Sequence, residues 1–168
     1  MSNPDLILRP FILEEASAHE KLQVNKLGLA AFAQYSEFYS PWVDFEAKIA
    51  EMSEMTMDIT LAELKGEICG AIGLVRPPQA DTSHFPLDWA VIRMLVVDPK
   101  QRGKGIGRAL TEEVVTQAKT LGCKCIALHT SPIMEVALSL YLRMGFEKFG
   151  VIPDIYGVKY GLYSLELD

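Results

Sequence analysis

The sequence predicts an α/β layer fold, about seven strands interleaved with about four helices, in one domain spanning residues 1–168. Three observations carry that expectation. Short apolar, β-branched runs such as Met94–Val97 recur along the chain. Between them lie stretches with apolar residues at helical spacing, clearest in Ile106, Leu110, Val114, Ala118 and Leu121. Glycine and proline then punctuate the transitions. At 168 residues the chain can bury a substantial core, and 49% hydrophobic with 23% charged residues is ordinary for a globular protein.

Taken in order, Asp5–Phe11 reads as a first strand. Glu14 and Glu15 suit the first turn of a helix running to about Ala33, although Leu22, Leu27 and Leu29 make no clean stripe. Ser40-Pro41 supplies a cap and a first-turn proline for a second helix carrying Trp42, Phe45, Ile49 and Met52. Asp58–Leu64 and Ile68–Val75 form a hairpin about Lys65-Gly66. Arg76–Asp88, with three prolines, is a long connection of the kind often used functionally. Trp89–Val97 is the central strand, stopped by Asp98-Pro99. After the Ile106–Leu121 helix come a strand at Lys124–Thr130 and a helix capped by Ser131-Pro132. That helix has Ile133, Val136, Ala137, Leu140, Tyr141 and Met144 on one face and ends at Gly145. Phe146–Val151 and Tyr160–Leu167 complete the sheet.

Charge and composition exclude several classes. A net charge of −6 without a Lys/Arg run argues against nucleic-acid binding. No apolar run approaches a membrane span of about 18 residues, and the N-terminus does not read as a signal peptide. Cys69, Cys123 and Cys125 lack metal-site spacing, so they read as buried reduced thiols, the latter two sharing a strand face. A cytoplasmic, metal-free protein is expected.

The densest chemistry lies between Met94 and Leu121. Gly103, Gly105 and Gly107 alternate with Lys104 and Ile106 just ahead of a helix, and Arg102, Lys104 and Arg108 concentrate positive charge there in an acidic protein. Free N–H groups, a positive helix end and three cations define an anion site suited to phosphate. The spacing is not that of a P-loop, because Ile106 follows Gly105 where a Lys is required. It is G-x-G-x-G rather than the dinucleotide fingerprint G-x-G-x-x-G.

The run Arg102-Gly103-Lys104-Gly105-Ile106-Gly107, preceded by Val97-Asp98-Pro99, instead resembles the acyl-CoA-binding signature Arg/Gln-x-x-Gly-x-Gly/Ala of the GNAT superfamily of N-acetyltransferases. Ala137-Leu138-Ser139-Leu140-Tyr141, continuing to Gly145-Phe146, resembles the family's Ala-x-x-Leu-Tyr-x-x-x-Gly-Phe. The order of elements follows the family plan over essentially the whole chain.

The resemblance implies a mixed sheet whose central parallel pair splays apart, and acetyl transfer from acetyl-CoA to a primary amine by direct attack in a ternary complex. Leu95 and Val97, with Val96 between them, would pair with the pantetheine arm, and the main chain of Gly103–Arg108 would wrap the pyrophosphate. Tyr141 takes the family's place of the general acid to the departing thiolate. The first helical region would close over the acceptor, a small-molecule or peptide amine, with Tyr35, Glu37, Tyr39 and Asp88 as its polar contacts. A homodimer is left open.

Two positions depart from the pattern. The usual strand Glu that serves as base is Val91 here, and the usual Asn ahead of the motif alanine is Met134. Asp88, His84 and His129 are the candidate replacements for the base. These departures keep a second reading in view, a non-catalytic acyl-CoA-binding regulatory module.

Overall fold

The computed structural model of the protein describes residues 3–79, 81 and 83–168. Seven strands and four α-helices follow one another: β1 (Leu6–Phe11), α1 (Ala18–Phe32), α2 (Trp42–Ile49), β2 (Asp58–Leu64), β3 (Glu67–Val75), β4 (Ala90–Val97), α3 (Ile106–Thr120), β5 (Cys125–Thr130), α4 (Glu135–Arg143), β6 (Glu147–Ile155) and β7 (Val158–Glu166). They build one mixed sheet in the order β1-β2-β3-β4-β5-β7-β6. Every neighbouring pair is antiparallel except β4–β5, which is parallel. The α/β class, the mixed sheet and its central parallel pair are as the sequence led us to expect.

Alternation along the strands divides the core between the two sheet faces. Ile72, Leu74, Ala90, Ile92, Ile126 and Leu128 pack against Ile106, Leu110 and Val114 of α3 and Tyr141 of α4. On the other face Ile59, Leu61, Ala71 and Val96 meet Val24, Leu27 and Ala31 of α1. Phe45 and Ile49 of α2 cover Val158 and Tyr160 of β7. Phe85, from the β3–β4 connection, covers Val91, Ala127 and Leu162. Among the described residues, no helix is long and apolar enough to cross a membrane.

Several element boundaries differ from the sequence expectation, each for a local reason. α1 begins at Ala18 because the Ser17 hydroxyl accepts the Glu20 N–H (3.1 Å), so Glu14 and Glu15 lie in the preceding turn. Pro41 is itself the N-cap of α2, and the Ser40 N–H is spent on the Tyr156 carbonyl (2.8 Å). Ser131–Met134 form a separate turn before α4, which leaves Ile133 outside the helix and Val136 exposed. Leu121 is the C-cap of α3 and is also exposed rather than on the buried stripe. Cys123 precedes β5, so it shares no strand face with Cys125, which is half-buried while Cys69 and Cys123 are buried. β6 and β7 run closer together than expected, joined by Tyr156-Gly157 at φ 45° and 81°, the double positive-φ geometry of a type I′ turn.

Two features of β4 position everything that follows. Its register with β3 shifts between Ala71 and Gly73, and Met94 in that bulge takes φ 57°. A left-handed, non-glycine residue costs about 1–2 kcal/mol. Its pairing with β5 is limited to Ala90–Ile126 and Val91–Ala127, after which the strands part. α3 is seated against this region through Gly70 of β3. A Cβ there would lie 2.8 Å from Ile106 Cγ2 and 3.0 Å from Leu110 Cδ1, both on fully buried side chains. Gly70→Ala should therefore destabilise the fold by about 1–3 kcal/mol, the usual cost of overpacking. Chemical denaturation would measure it, and an unchanged midpoint would mean that α3 is not tightly seated.

Candidate functional site

Where β4 parts from β5, its edge toward β5 carries backbone groups with no strand partner. A groove of about 280 Å³ opens beside it. Its walls are Leu95, Val96 and Val97 of β4, Gln101, Arg102, Gly103 and Gly105 of the following loop, the first turn of α3, the end of α1 with Gln34 and Tyr35, and Met134, Ala137, Leu140 and Arg143 from the α4 region. Gly105 is the N-cap of α3 with φ 76° and contributes no side-chain cap. The first intrahelical bond runs from Ala109 N–H to Gly105 O. The N–H groups of Ile106, Gly107 and Arg108 are thus free of helical partners at the helix's positive end. No acidic residue stands in that first turn.

Arg102, Arg108 and Arg143 all line this groove. Arg102 donates to Gln34 Oε1 (3.0 Å) and Arg108 pairs with Glu112 (2.7 Å), contacts that hold two exposed guanidinium groups near the helix end. The donor set matches what a pyrophosphate requires: main-chain N–H groups at a helix N-terminus with bidentate-capable cations around them. Gly107, inside the first turn of α3, faces Leu140, Val97 and Leu95. A Cβ would reach those side chains only at 3.6–4.0 Å, so the bare Cα leaves open space in the groove rather than relieving a clash.

A second, larger groove of about 920 Å³ opens at the end of the sheet where β1 and β3 end and β2 and β4 begin, and it reaches Gln117 of α3. It is bounded by the turn after β1, the segment leading into β2, the β3–β4 connection, Val91 and Arg93 of β4 and His129 of β5. Buried Gln79 shapes the connection: its side-chain amide donates to Phe85 O (2.7 Å) and Pro86 O (3.1 Å), and its Oε1 accepts the Asp81 N–H (2.7 Å). His84 pairs with Asp81 (2.7 Å), and Asp58 with Arg76 (2.6 Å). His129 is largely buried, its ring edge-on to Tyr160 (5.3 Å between centroids). Burial, then the nearby Arg93 charge, pushes its pKa down to about 4.

The residues expected from sequence separate into those the fold gathers and those it does not. Leu95, Val96, Val97, Arg102, Gly103, Gly105, Ile106, Gly107 and Arg108 all line the first groove, and so does Tyr35. The Lys104 side chain turns away, donating to Gln101 Oε1 (2.6 Å) on the side of the loop that faces Asp5 and Glu67. Tyr39 lines neither groove. It is buried, stacked on Phe45 (3.9 Å between centroids), and its hydroxyl shares a hydrogen bond with that of Tyr160. Glu37 is exposed and lines neither groove. Asp88 sits just before β4, at the end where β4 is still paired with β5, with Cys123 and Cys125 as neighbours. It too lines neither groove.

Tyr141 is buried in the α3/α4 core, edge-to-face with Phe146 (5.5 Å), and burial raises its pKa. It lines neither groove, although its neighbour Leu140 lines the first. Arg143 and Gln34 were not expected. Arg143 follows Leu140 by three positions on α4, a helical-face signal that could have found it, whereas nothing local marks Gln34.

Fold and grooves together define an α/β architecture with an anion-accepting groove beside an open strand edge, and comparison with known proteins specifies its family. Residues 24–146 match the family model described as the Acetyltransferase (GNAT) family, and the chain belongs to that family. It is 41% identical over 121 residues to rat N-acetyltransferase 8F1, which covers 66% of this chain and 52% of that protein. The chain spans about half the length of the curated relatives it matches. Among solved structures, a GNAT-family acetyltransferase from Staphylococcus aureus Mu50 superposes with a TM-score of 0.71 at 17% identity, covering 97% of this chain and 99% of the other. A Salmonella typhimurium structure described with its cofactor acetyl-CoA superposes at 0.65 and 15% identity, covering 98% and 95%.

Proposed function

We propose that the protein is an acetyl-CoA-dependent N-acetyltransferase that delivers an acetyl group to a primary amine of a small molecule or peptide in a ternary complex. One observation carries the reading. The open edge of β4 and the uncapped N-terminus of α3 flank the same groove, and β4 also contributes Val91 and Arg93 to the second groove, with the Met94 bulge between the two stretches. A donor and an acceptor bound in these grooves would meet along a single strand, the arrangement that proximity catalysis needs.

In this reading, main-chain N–H groups of Ile106, Gly107 and Arg108 hold the pyrophosphate, with Arg102, Arg108 and Arg143 adding charge. The unpaired backbone of Leu95–Val97 holds the extended arm. Acetyl-CoA, when bound, supplies an activated thioester. Backbone N–H groups on the same edge are available to a developing oxyanion. Tyr141 is the proposed proton donor to the departing sulfur. Its position in the tyrosine motif and its place on α4 beside Leu140, which lines the first groove, support the role; burial raises its pKa, so the hydroxyl keeps its proton until it is transferred. Turnover assayed as free-thiol release across a panel of primary amines tests the whole reading. Acetyl-CoA binding without turnover on any of them would establish the non-catalytic module instead.

Gly107→Ala separates binding from folding. The added methyl meets only ordinary contacts inside the protein and replaces a helical glycine, so stability should hold or rise by up to about 1 kcal/mol. Acetyl-CoA affinity, measured by calorimetry, should fall roughly tenfold or more, because the methyl fills the groove where the phosphate approaches. Undiminished affinity in the folded variant would remove the pyrophosphate assignment.

Tyr141→Phe should keep the fold and the acetyl-CoA affinity while lowering turnover by about 10²–10⁴. The sign of the pKa shift fixes the wild-type profile: a raised pKa keeps the acid form populated as pH rises, so Tyr141 imposes no alkaline loss of rate up to about pH 10. Rates at saturating acetyl-CoA from about pH 6 to 10 would check both points. A Phe variant within about threefold of wild type would exclude the hydroxyl from the chemistry.

A further inference from the structure

The strand position that carries a Glu in many GNAT enzymes is Val91 here, and a valine takes no proton. The geometry around it nonetheless supplies another group. β4 and β5 make their last pair at Val91–Ala127, and one same-face step further, where the strands have begun to part, stand Arg93 on β4 and His129 on β5. Val91, Arg93 and His129 all line the larger groove. We propose that His129 is the proton acceptor for the acceptor amine, acting at the fork between β4 and β5 in the larger groove. This inference rests on the acetyl-transfer reading and supplies its missing base.

Three observations converge on His129. Its ring packs in a T-shaped contact with Tyr160 that uses no ring nitrogen. Among the described residues neither ring nitrogen has a hydrogen-bond partner, and the residue lines the groove. The other acids and bases lining the groove are committed or distant. Asp58 is paired with Arg76, and Asp81 with His84. Glu14 and Glu54 belong to the segments beside β1 and β2, across the sheet from β5. The charged and titratable groups facing His129 are Arg93 from β4, Asp81 and His84 from the β3–β4 connection, and Tyr160 from β7. Burial and Arg93 outweigh Asp81 and lower the pKa of the imidazole, so His129 is unprotonated when the amine arrives.

The step balances. The amine nitrogen uses its lone pair to form the new C–N bond, and the C–S bond breaks with its electron pair going to sulfur. The surplus N–H proton passes to a ring nitrogen of His129 and from there to solvent. The sulfur takes its proton from Tyr141.

The test uses the whole chain, with the best acceptor from a panel of spermidine, kanamycin, phenylethylamine and dipeptides. His129→Gln and His129→Ala should lower kcat by roughly 10²-fold or more while leaving acetyl-CoA affinity unchanged. Added imidazole should restore rate to His129→Ala in proportion to its concentration, which a merely structural role would not permit. In NMR titrations of the chain, which has three histidines, His129 should stay neutral down to about pH 5. Arg93→Gln should move its pKa upward. Rates within about threefold of wild type in His129→Gln, or loss of rate in His129→Ala without imidazole rescue, would overturn this assignment alone. A wild-type protein that acetylates none of these amines would overturn the acetyl-transfer reading and this proposal with it.

Discussion

The parting of β4 from β5 is the constraint on which the rest of the site depends. Two parallel strands held side by side along their whole length would satisfy each other's backbone and leave no polar edge. Here the pairing ends at Val91–Ala127 although β4 runs on to Val97 and β5 to Thr130. The bulge at Met94 turns β4 just beyond that point, at the cost of an unfavourable backbone conformation. The sheet tolerates it because β4 remains paired with β3 on its other side, at Gly70–Val97 and Ala71–Val96. The result is an unpaired edge inside the protein rather than at the rim of the sheet, where it would invite another chain.

The helices serve that edge in different ways. α3 is pressed against β3 at Gly70, which sets where its N-terminus ends up relative to Leu95–Val97. An N-terminus capped by Ser or Asp would spend its N–H groups internally. Gly105 leaves them free, and the first turn carries Arg108 in place of an acid. An overall charge of −6 therefore coexists with a groove whose charged lining is all arginine, Arg102, Arg108 and Arg143. Net charge describes the whole surface, and a local concentration of cations can oppose it within a Debye length of about 8–10 Å.

How much of this was legible in the sequence follows from how local each determinant is. The glycine loop and its helix were readable because backbone conformation, apolar stripe and charge all reside within Arg102–Leu121. The Lys65-Gly66 turn was readable for the same reason, whereas Tyr156-Gly157 gave no strong dipeptide signal, so the length of the β6–β7 hairpin was missed. The polar contacts expected of Glu37, Tyr39 and Asp88 depended on where distant segments meet. Tyr39 is claimed by Phe45 and Tyr160, a partner 121 residues away, and Asp88 falls at the closed end of the fork. The shape of the β3–β4 connection rests on one buried amide, Gln79, which no periodicity or turn rule identifies.

The same locality argument explains why the first groove is easier to read than the larger one. A pyrophosphate is recognised largely by main-chain N–H groups and cations, and these need only a helix end, glycines and arginines close in sequence. The larger groove is assembled from the turn after β1, the approach to β2, the β3–β4 connection, β4 and β5, none of them adjacent in the chain. Its charges are partly consumed by each other in the Asp58–Arg76 and Asp81–His84 pairs, so composition alone says little about what the groove would attract. What survives that cancellation closest to the fork is Arg93 beside a neutral His129. A cation placed there disfavours a second positive charge, so in the proposed reaction it works against an acceptor bound as an ammonium ion and makes the His129 imidazolium short-lived, its proton passing on to solvent. In the proposed reaction the fork would thereby favour the neutral amine, whose lone pair attacks the acetyl carbon.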